Sequence, residues 1–268
     1  MDRNGADGIG YGQRYNEQGY GAMTTYWTTG ETGDWSDESK WQSGIAPTSA
    51  DAAVINGSTV TVLGAGLASS LALNNATLTV DGSLSITTTL YVNSSSLHLE
   101  GGTLVAQTID GGNGTYSSIY GYGTITAAGV GDVTITASDG LLKVLGSQGW
   151  GGFGIGEGAM LELAAGVSSW VSFSANATLK LDAPSTFVGR IINMSIGDTI
   201  DLVGVLASSA SYDGTTLTVN IVGGGQLHYQ VGGSVVGNAL NLVSDNNGGT
   251  AVSWVQPAES WIAGATGD

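Results

Sequence analysis

The sequence predicts an all-β fold and, within that class, a parallel β-solenoid. Three observations support this prediction: apolar–polar–apolar triplets recur, turn-forming residues separate them, and the composition disfavours helices. Of the 268 residues, 45 are glycine, 3 are proline and only 10% are charged. Exposed helix faces are usually built from Glu, Lys and Arg, so no amphipathic helix is expected.

The triplets are typical of short strands with one buried face. Examples lie at 60–62 (V-T-V), 78–80 (L-T-V), 97–99 (L-H-L), 133–135 (V-T-I), 161–163 (L-E-L), 179–181 (L-K-L) and 217–219 (L-T-V). Successive strands follow one another too closely for long loops, which favours stacked coils of roughly 20 to 25 residues. Roughly eight to ten such coils fit the chain. Phenylalanine occurs only 3 times, which favours a thin aliphatic core over a sandwich.

The chain divides into four predicted parts. These are a Gly- and Tyr-rich arm or linker at 1–26, a Trp-rich junction and N-terminal cap at 27–52, the β-solenoid at 53–256, and the start of another junction at 257–268. The division depends on an internal repeat, since W-T-T-G-E-T-G-D at 27–34 returns as W-I-A-G-A-T-G-D at 261–268. We therefore expect one unit of a tandem array, with neighbouring copies or modules of the same protein as partners.

Tryptophan is concentrated at the two ends of the chain. Five of the seven tryptophans lie there, namely Trp27, Trp35, Trp41, Trp254 and Trp261. The terminal coils of a solenoid expose the edge of the core and must be covered or joined to a neighbour. These side chains either cap the ends of one unit or form an interface that docks modules along a fibre.

Several motifs open and close the predicted coil region. The opening motifs are G-D-W-S at 33–36, W-Q-S-G-I-A-P at 41–47 and D-A-A-V-I at 51–55, and the closing motifs lie at 197–202, 212–219 and 245–250. This arrangement resembles the repeat modules of large bacterial autotransporter-type and repeat adhesins. The resemblance implies a right-handed parallel β-helix that is secreted to the cell surface and serves adhesion or biofilm formation. It therefore implies a non-catalytic, extracellular structural or adhesive module, with a glycan or protein of the host or biofilm as a further partner.

Charge and composition argue against several kinds of partner. The chain carries 22 acidic and 6 basic residues, a formal net charge of -16. Such an excess repels phosphate backbones and anionic lipid, so nucleic acid is not an expected partner. No stretch approaches 18 consecutive apolar residues, so direct membrane insertion is not expected. With no cysteine, neither disulfides nor thiolate metal sites are available.

A glycan-active β-helix, like a phage tailspike or a polysaccharide lyase, is the main alternative function. Such enzymes need clustered carboxylates beside a cation. The candidate carboxylates are Glu157, Glu162, Asp182, Asp198 and Asp201, and the candidate cations are Lys143, Lys180 and Arg190. With so few cations we expect no catalytic site, and Asp198 and Asp201 should lie on opposite sides of a strand. The two histidines, His98 and His228, are interpreted as solvated strand residues rather than bases or ligands.

The turns offer weak candidates for a calcium site. Asp110 and Asn113 in one turn, and Asp245 and Asn247 in another, carry oxygen atoms of the kind that Ca²⁺ accepts. Neither turn has the spacing of an established calcium loop, so we interpret both as plain Asx turns and expect no cofactor.

A carbohydrate-binding module is a further alternative function. In the Gly-rich segment 149–156, Trp150 and Phe153 form a possible glycan-stacking platform, although we favour packing over an irregular coil. Ice binding would need regular Thr-x-Thr rows, and the threonines around Thr87–Thr89 are too irregular for that.

Overall fold

A computed structural model describes residues 22–112, 117–146 and 151–257 of the chain. Within these ranges the protein is all-β, with no α-helix, and forms a β-solenoid of about 8 turns. This confirms the fold class predicted from the triplets. Two short 3-10 turns, at Glu38–Lys40 and Pro184–Thr186, are the helical elements of the described residues.

Seventeen strands, β1–β17, build the solenoid proper. They are β1 Thr24–Tyr26, β2 Thr32–Asp34, β3 Ala52–Asn56, β4 Thr59–Val62, β5 Ala65–Ala68, β6 Ser70–Asn74, β7 Thr77–Val80, β8 Ser83–Asn93, β9 Ser96–Asp110, β10 Ser118–Gly131, β11 Thr134–Leu145, β12 Gly152–Ile155, β13 Met160–Leu163, β14 Val171–Phe173, β15 Thr178–Leu181, β16 Arg190–Met194 and β17 Thr199–Leu202. The strands that pair among these seventeen are parallel, and the longest of them, β8 to β11, continue around a corner of the coil.

The parallel pairs stack into three surfaces, which we call face 1, face 2 and face 3. Face 1 contains β1, β3 and β6 and continues through 89–93, 108–110 and 129–131. Face 2 contains β2, β4 and β7, continues through 96–99, 118–121 and 134–137, and ends with β12, β14 and β16. Face 3 contains β5, continues through 83–86, 103–106, 124–127 and 142–145, and ends with β13, β15 and β17.

The core is a set of apolar columns that run along the solenoid axis. On face 2, Val60, Leu78 and Leu97 are paired in register and fully buried. In each strand the residues on either side of this position point outward. Side-chain hydrogen bonds between adjacent coils join residues that are 18 to 22 positions apart. This coil length is close to the lower end of the expected range. Stacking works because each alternating strand adds one apolar rung to a column that its neighbours already define.

The corner between face 1 and face 2 is built by residues in the left-handed backbone region. Gly57, Asn75 and Ser94 take φ values of 54°, 49° and 46° at equivalent positions of successive coils. Glycine and asparagine adopt this conformation at low cost, which is why turn residues recur at the spacing of one coil.

An asparagine ladder leads into this corner. Asn74 donates from Nδ2 to Asn56 Oδ1 (2.9 Å), and Asn93 donates in the same way to Asn74 Oδ1 (3.0 Å). The ladder satisfies amides that stacking leaves half-buried, and it aligns the coils.

The C-terminal part departs from the predicted solenoid. Five further strands follow: β18 Ala207–Tyr212, β19 Thr216–Ile221, β20 Gln226–Gly233, β21 Ala239–Ser244 and β22 Thr250–Val255. We call residues 207–255 the C-terminal antiparallel segment, because β18–β19–β20 form an antiparallel meander and β21–β22 a hairpin. The solenoid predicted over 53–256 therefore changes in character at its C-terminal end, where the pairings of the strands after β17 are antiparallel, apart from the parallel pairing of β20 with β16.

The N-terminal boundary also differs from the prediction. β1 pairs in parallel with β3, and β2 pairs in parallel with β4, so residues 24–34 already form the first coil. The Trp-rich region from 27 is thus integrated into the stack rather than serving only as a junction. The pattern was missed because a long excursion, from β2 to β3, separates this coil from the next.

Candidate functional site

Five of the eight charged residues considered for a catalytic alternative meet on face 3. The outward positions of four successive strands place Lys143, Glu162, Lys180 and Asp201 in register, one above the other. Asp182 lies immediately after β15 and reaches Lys143 at 3.5 Å. We call these five residues the face 3 charge ladder. The triplets at 161–163 and 179–181 predict that Glu162 and Lys180 point outward, but the sequence could not align the five residues, because the register depends on coil length.

Glu162 is the centre of the charge ladder. Its Oε1 accepts from Lys143 Nζ, and its Oε2 accepts from Lys180 Nζ at 3.0 Å. The residue is only 4% exposed. Burial alone raises the pKa of Glu162, but the hydrogen bonds and positive charges of the two lysines outweigh it, so the pKa lies below its ordinary value. Glu162 is therefore held as a carboxylate with both oxygens engaged.

Asp201 occupies the last rung of the ladder and has the opposite electrostatic character. Burial raises its pKa, and the negative charges of Asp245, Asp182 and Glu162 raise it further, against the opposing charge of Lys180. Its Oδ1 is buried without a hydrogen-bond partner in the described part of the chain. The ladder thus passes from ion pairs inside the coils to a carboxylate at the last coil that has one buried oxygen without a hydrogen bond.

The remaining catalytic candidates lie apart from the ladder. Asp198 is fully buried and accepts from the backbone N–H groups of Ala177 (2.9 Å) and Ser195 (2.8 Å), which makes it a corner residue. As expected, it lies on a different side of the coil from Asp201. Glu157 is exposed in a turn, and Arg190 lies on face 2. The structure therefore gathers three of the five candidate carboxylates and two of the three candidate cations.

The two histidines occupy different parts of the molecule. His98 lies outward on face 2, where its ring stacks on Tyr120 with centroids 4.6 Å apart and its Nδ1 is 3.2 Å from Glu100 Oε1. His228 lies on β20, where Nδ1 is 3.1 Å from Thr218 Oγ1. Both are strand residues, as expected, and they do not share a site.

The turns proposed for calcium are closed by their own carboxylates. Asp110 Oδ1 accepts from the N–H of Gly112 (2.8 Å), and Asp245 Oδ1 accepts from the N–H groups of Asn247 (2.7 Å) and Gly249 (2.8 Å). These are the Asx turns that we favoured. Asn113 lies outside the described residues. In the ranges that the structure describes, no group of three or more His, Asp or Glu side chains is placed to hold a metal ion.

The tryptophans predicted at the ends are buried within the chain. Trp41 packs edge-on against Trp27 and Trp35, with ring centroids 5.2 and 5.0 Å apart, and all three rings lie in the core. Trp254 is buried in β22 against Tyr212. This burial corrects the prediction that these four indole rings form an interface between modules, because the rings present no surface to a neighbouring copy. Trp261 lies outside the described residues.

The exposed aromatic ring that lies against the Gly-rich segment is not one of the two predicted. The ring of Phe153 is buried in the core, so a glycan-stacking role for Phe153 is wrong, and Trp150 lies outside the described residues. Instead, Trp170 from the following coil lies over Gly152 and is 43% exposed. The available signal was Gly152, whose outward position leaves room for a ring from the next coil.

Comparisons with known proteins identify no family for this chain. No model of a protein family matches the sequence, and no curated protein matches it. A search of the described residues for a helix long and apolar enough to cross a membrane finds none. The fold and the charge ladder are therefore the basis on which function is argued.

Proposed function

We propose that this chain is a non-catalytic structural and adhesive module of an extracellular bacterial surface protein. The observation that carries the proposal is the parallel stacking of the described strands from β1 to β17 over one apolar core. At about 4.8 Å per coil, about eight coils give a rod of about 38 Å. Such a stack supplies length and a broad lateral surface, which are the properties that a stalk or adhesin module needs.

The exterior of the rod supports the same proposal. The outward positions of face 2 are rich in hydroxyl groups, with Thr59 and Thr61 paired in register with Thr77 and Thr79. The whole chain has a net charge of -16, which keeps such a weakly charged polar surface soluble. A polar, repetitive exterior on an apolar core is typical of solenoids that are displayed to solvent.

The state of the charge ladder argues against the catalytic alternative. A glycosidase needs one carboxyl group free to donate a proton and another free to attack or to activate water. Glu162 has both oxygens bound to lysine ammonium groups. The two lysines are in turn engaged by carboxylates, so Lys143, Glu162 and Lys180 have the organisation of a structural ion-pair network.

The experiment that tests this proposal measures catalysis and adhesion with the same purified chain. It is incubated with bacterial and plant polysaccharides, and reducing ends and unsaturated products are quantified. In parallel, beads that carry the chain are tested for retention on polysaccharide-coated and cell-coated surfaces. We expect retention of the beads and no product.

Product release that Glu162→Gln abolishes would overturn the non-catalytic proposal. Beads retained no better than beads coated with serum albumin would overturn the adhesive part of the proposal.

A further inference from the structure

We infer that face 2 carries a glycan-binding site centred on Trp170, in which a pyranose ring stacks on the exposed side of the indole. This inference rests on the proposed adhesive role, for which it names the class of partner. The site lies on the last four coils of face 2, formed by β11, β12, β14 and β16. It is separate from the face 3 charge ladder.

The position of Trp170 is built by its neighbours. Its carbonyl oxygen accepts from the N–H of Phe153 (3.0 Å), which anchors the backbone to the preceding coil. The six-membered ring lies where a Cβ atom on Gly152 would be, so only glycine permits this placement. One side of the indole is thus supported by the sheet, while the residue stays 43% exposed. A supported aromatic ring loses little freedom on binding and offers its free side to the C–H groups of a sugar.

Polar groups suited to sugar hydroxyls lie on the coils next to the ring. Thr134 and Thr136 lie on the coil before Gly152 and Gly154, in register with them. On the other side, Asn193 donates from Nδ2 to Ser172 Oγ (2.9 Å). These hydroxyl and amide groups both donate and accept, which is the chemistry that sugar hydroxyls require.

The local charge differs from that of the molecule as a whole. The outward positions of face 2 between β11 and β16 hold no carboxylate in the described strands; they are Thr134, Thr136, Gly152, Gly154, Ser172, Arg190 and Ile192. Lys40, Lys143 and Lys180 each pair with a carboxylate, whereas Arg190 forms no ion pair among the described residues. The Arg190 guanidinium, whose Nη2 lies 3.8 Å from the position of a Cβ atom on Gly232, adds a positive charge to the same face one coil after Trp170 and favours a ligand rich in oxygen acceptors.

The surface is long enough for more than one sugar. Tyr120 lies on the same face three coils before Ser172 in the strand register, and its stacked partner His98 lies one coil earlier. Three coil steps correspond to about 14 Å, a length that a short oligosaccharide spans. We place the chain of sugars along the solenoid axis, from Trp170 across Thr136 toward Tyr120.

The test is a titration of the full chain with defined oligosaccharides. Cellohexaose, chitohexaose and hexagalacturonate are added separately, and binding is followed by calorimetry and by quenching of tryptophan fluorescence. We expect at least one of them to bind wild-type protein, and Trp170→Ala to weaken that binding tenfold or more. Gly152→Ala should weaken it too, because the new methyl group displaces the indole. Tyr91→Ala is the matched control, since Tyr91 is 41% exposed on face 1, and it should bind as wild type does.

Arg190→Gln distinguishes the kind of sugar. Loss of hexagalacturonate binding with retained cellohexaose binding assigns the guanidinium to a carboxylate, and equal losses assign it to hydroxyl groups; both results support the site. Thermal unfolding by circular dichroism confirms that each variant folds.

Equal affinity of Trp170→Ala and wild type would overturn the inference, and so would the absence of binding to all three oligosaccharides. Neither of those results contradicts the proposed function if beads are retained and no product forms. Product release would instead contradict the proposed function.

Discussion

The parallel coils and the C-terminal antiparallel segment use similar residues in different ways. In the coils, β6 and β7 bury every second side chain completely. In the C-terminal antiparallel segment, β18 and β21 contain no fully buried residue. The coils are ordered by burial, whereas β18 and β21, the outer strands of the antiparallel segment, are ordered to a greater extent by hydrogen bonding with their neighbouring strands.

The difference teaches what the antiparallel segment does for the fold. The last coil would leave β16 and β17 with open edges, which are prone to pairing with other chains. β20 pairs with β16 in parallel, and β22 pairs with β17 antiparallel, so both strands are covered. The segment covers the end of the stack and adds one more buried residue to a column on each of two faces, because Val231 pairs with Ile191 and Val252 pairs with Ile200.

The largest expected effect contrasts the two regions with the same substitution. Leu97 is fully buried in β9, and Leu240 is half-buried in β21. Leu97→Ala should lower the free energy of unfolding by about 3 kcal/mol, because it leaves a cavity in a column that cannot collapse. Leu240→Ala should cost about 1 kcal/mol. Urea unfolding measures both, and equal losses would contradict the difference in burial between the regions.

The second effect concerns the ion pairs inside the coils. Glu162→Gln should lower the free energy of unfolding by about 2 kcal/mol at neutral pH, because two charge-assisted hydrogen bonds are lost. The folded-state pKa of Glu162 lies below its ordinary 4.5, so its contribution is present above that value and is lost as pH falls. Urea unfolding of both proteins from neutral to acidic pH should therefore show a shrinking difference. A constant difference would exclude the ion pairs as its cause.

A third effect compares two asparagines that each make two side-chain hydrogen bonds. Asn74 bonds to Asn56 and Asn93 within the coils, and Asn220 bonds to Ser209 and Gln226 in the antiparallel segment. Asn74→Ala should cost about 1 kcal/mol and Asn220→Ala less than about 0.5 kcal/mol, because exposed bonds are replaced by water. Thermal unfolding checks the order, and a larger loss for Asn220→Ala would reverse our interpretation.

The smallest effect lies at the boundary between the regions and has the opposite sign. The folded-state pKa of Asp201 is raised above its ordinary 3.8, so its ionised form destabilises the fold at pH above the raised value. Asp201→Asn should therefore stabilise the protein at pH 7, by less than about 1 kcal/mol, and have no effect near about pH 3. Chemical unfolding at the two pH values tests this, and destabilisation at pH 7 would contradict it.

Much of the fold could be predicted because strand alternation is local. The triplets at 60–62 and 78–80 were expected to be strands with one buried face, and they lie in β4 and β7, paired in register. The triplet at 217–219 has the same L-T-V pattern as 78–80, yet it lies in β19, within the antiparallel meander. Alternation tells which face of a strand is buried but not the direction of its partner, so the change of pairing mode was not predictable.

The candidate sites were less predictable because they depend on neighbouring coils. Lys180 and Glu162 could each be placed outward from the pattern of their own strands. They meet only because one coil takes 18 residues here, which puts the two side chains in register. Trp170 carried no local signal of its own, since its exposed position depends on a glycine of the preceding coil. A one-residue change in coil length would separate both pairs.

By itself, the sequence determined the all-β class, the inward and outward positions of most strands, and the turn residues at the corners. These follow from interactions within a few residues, namely alternation and backbone preference. Only the tertiary structure decided the three faces, the change to mostly antiparallel pairing after β17, and the groupings around Glu162 and Trp170. Those depend on hydrogen-bonded register between coils, which joins residues that are distant in the chain and is specified by the packing of the whole core.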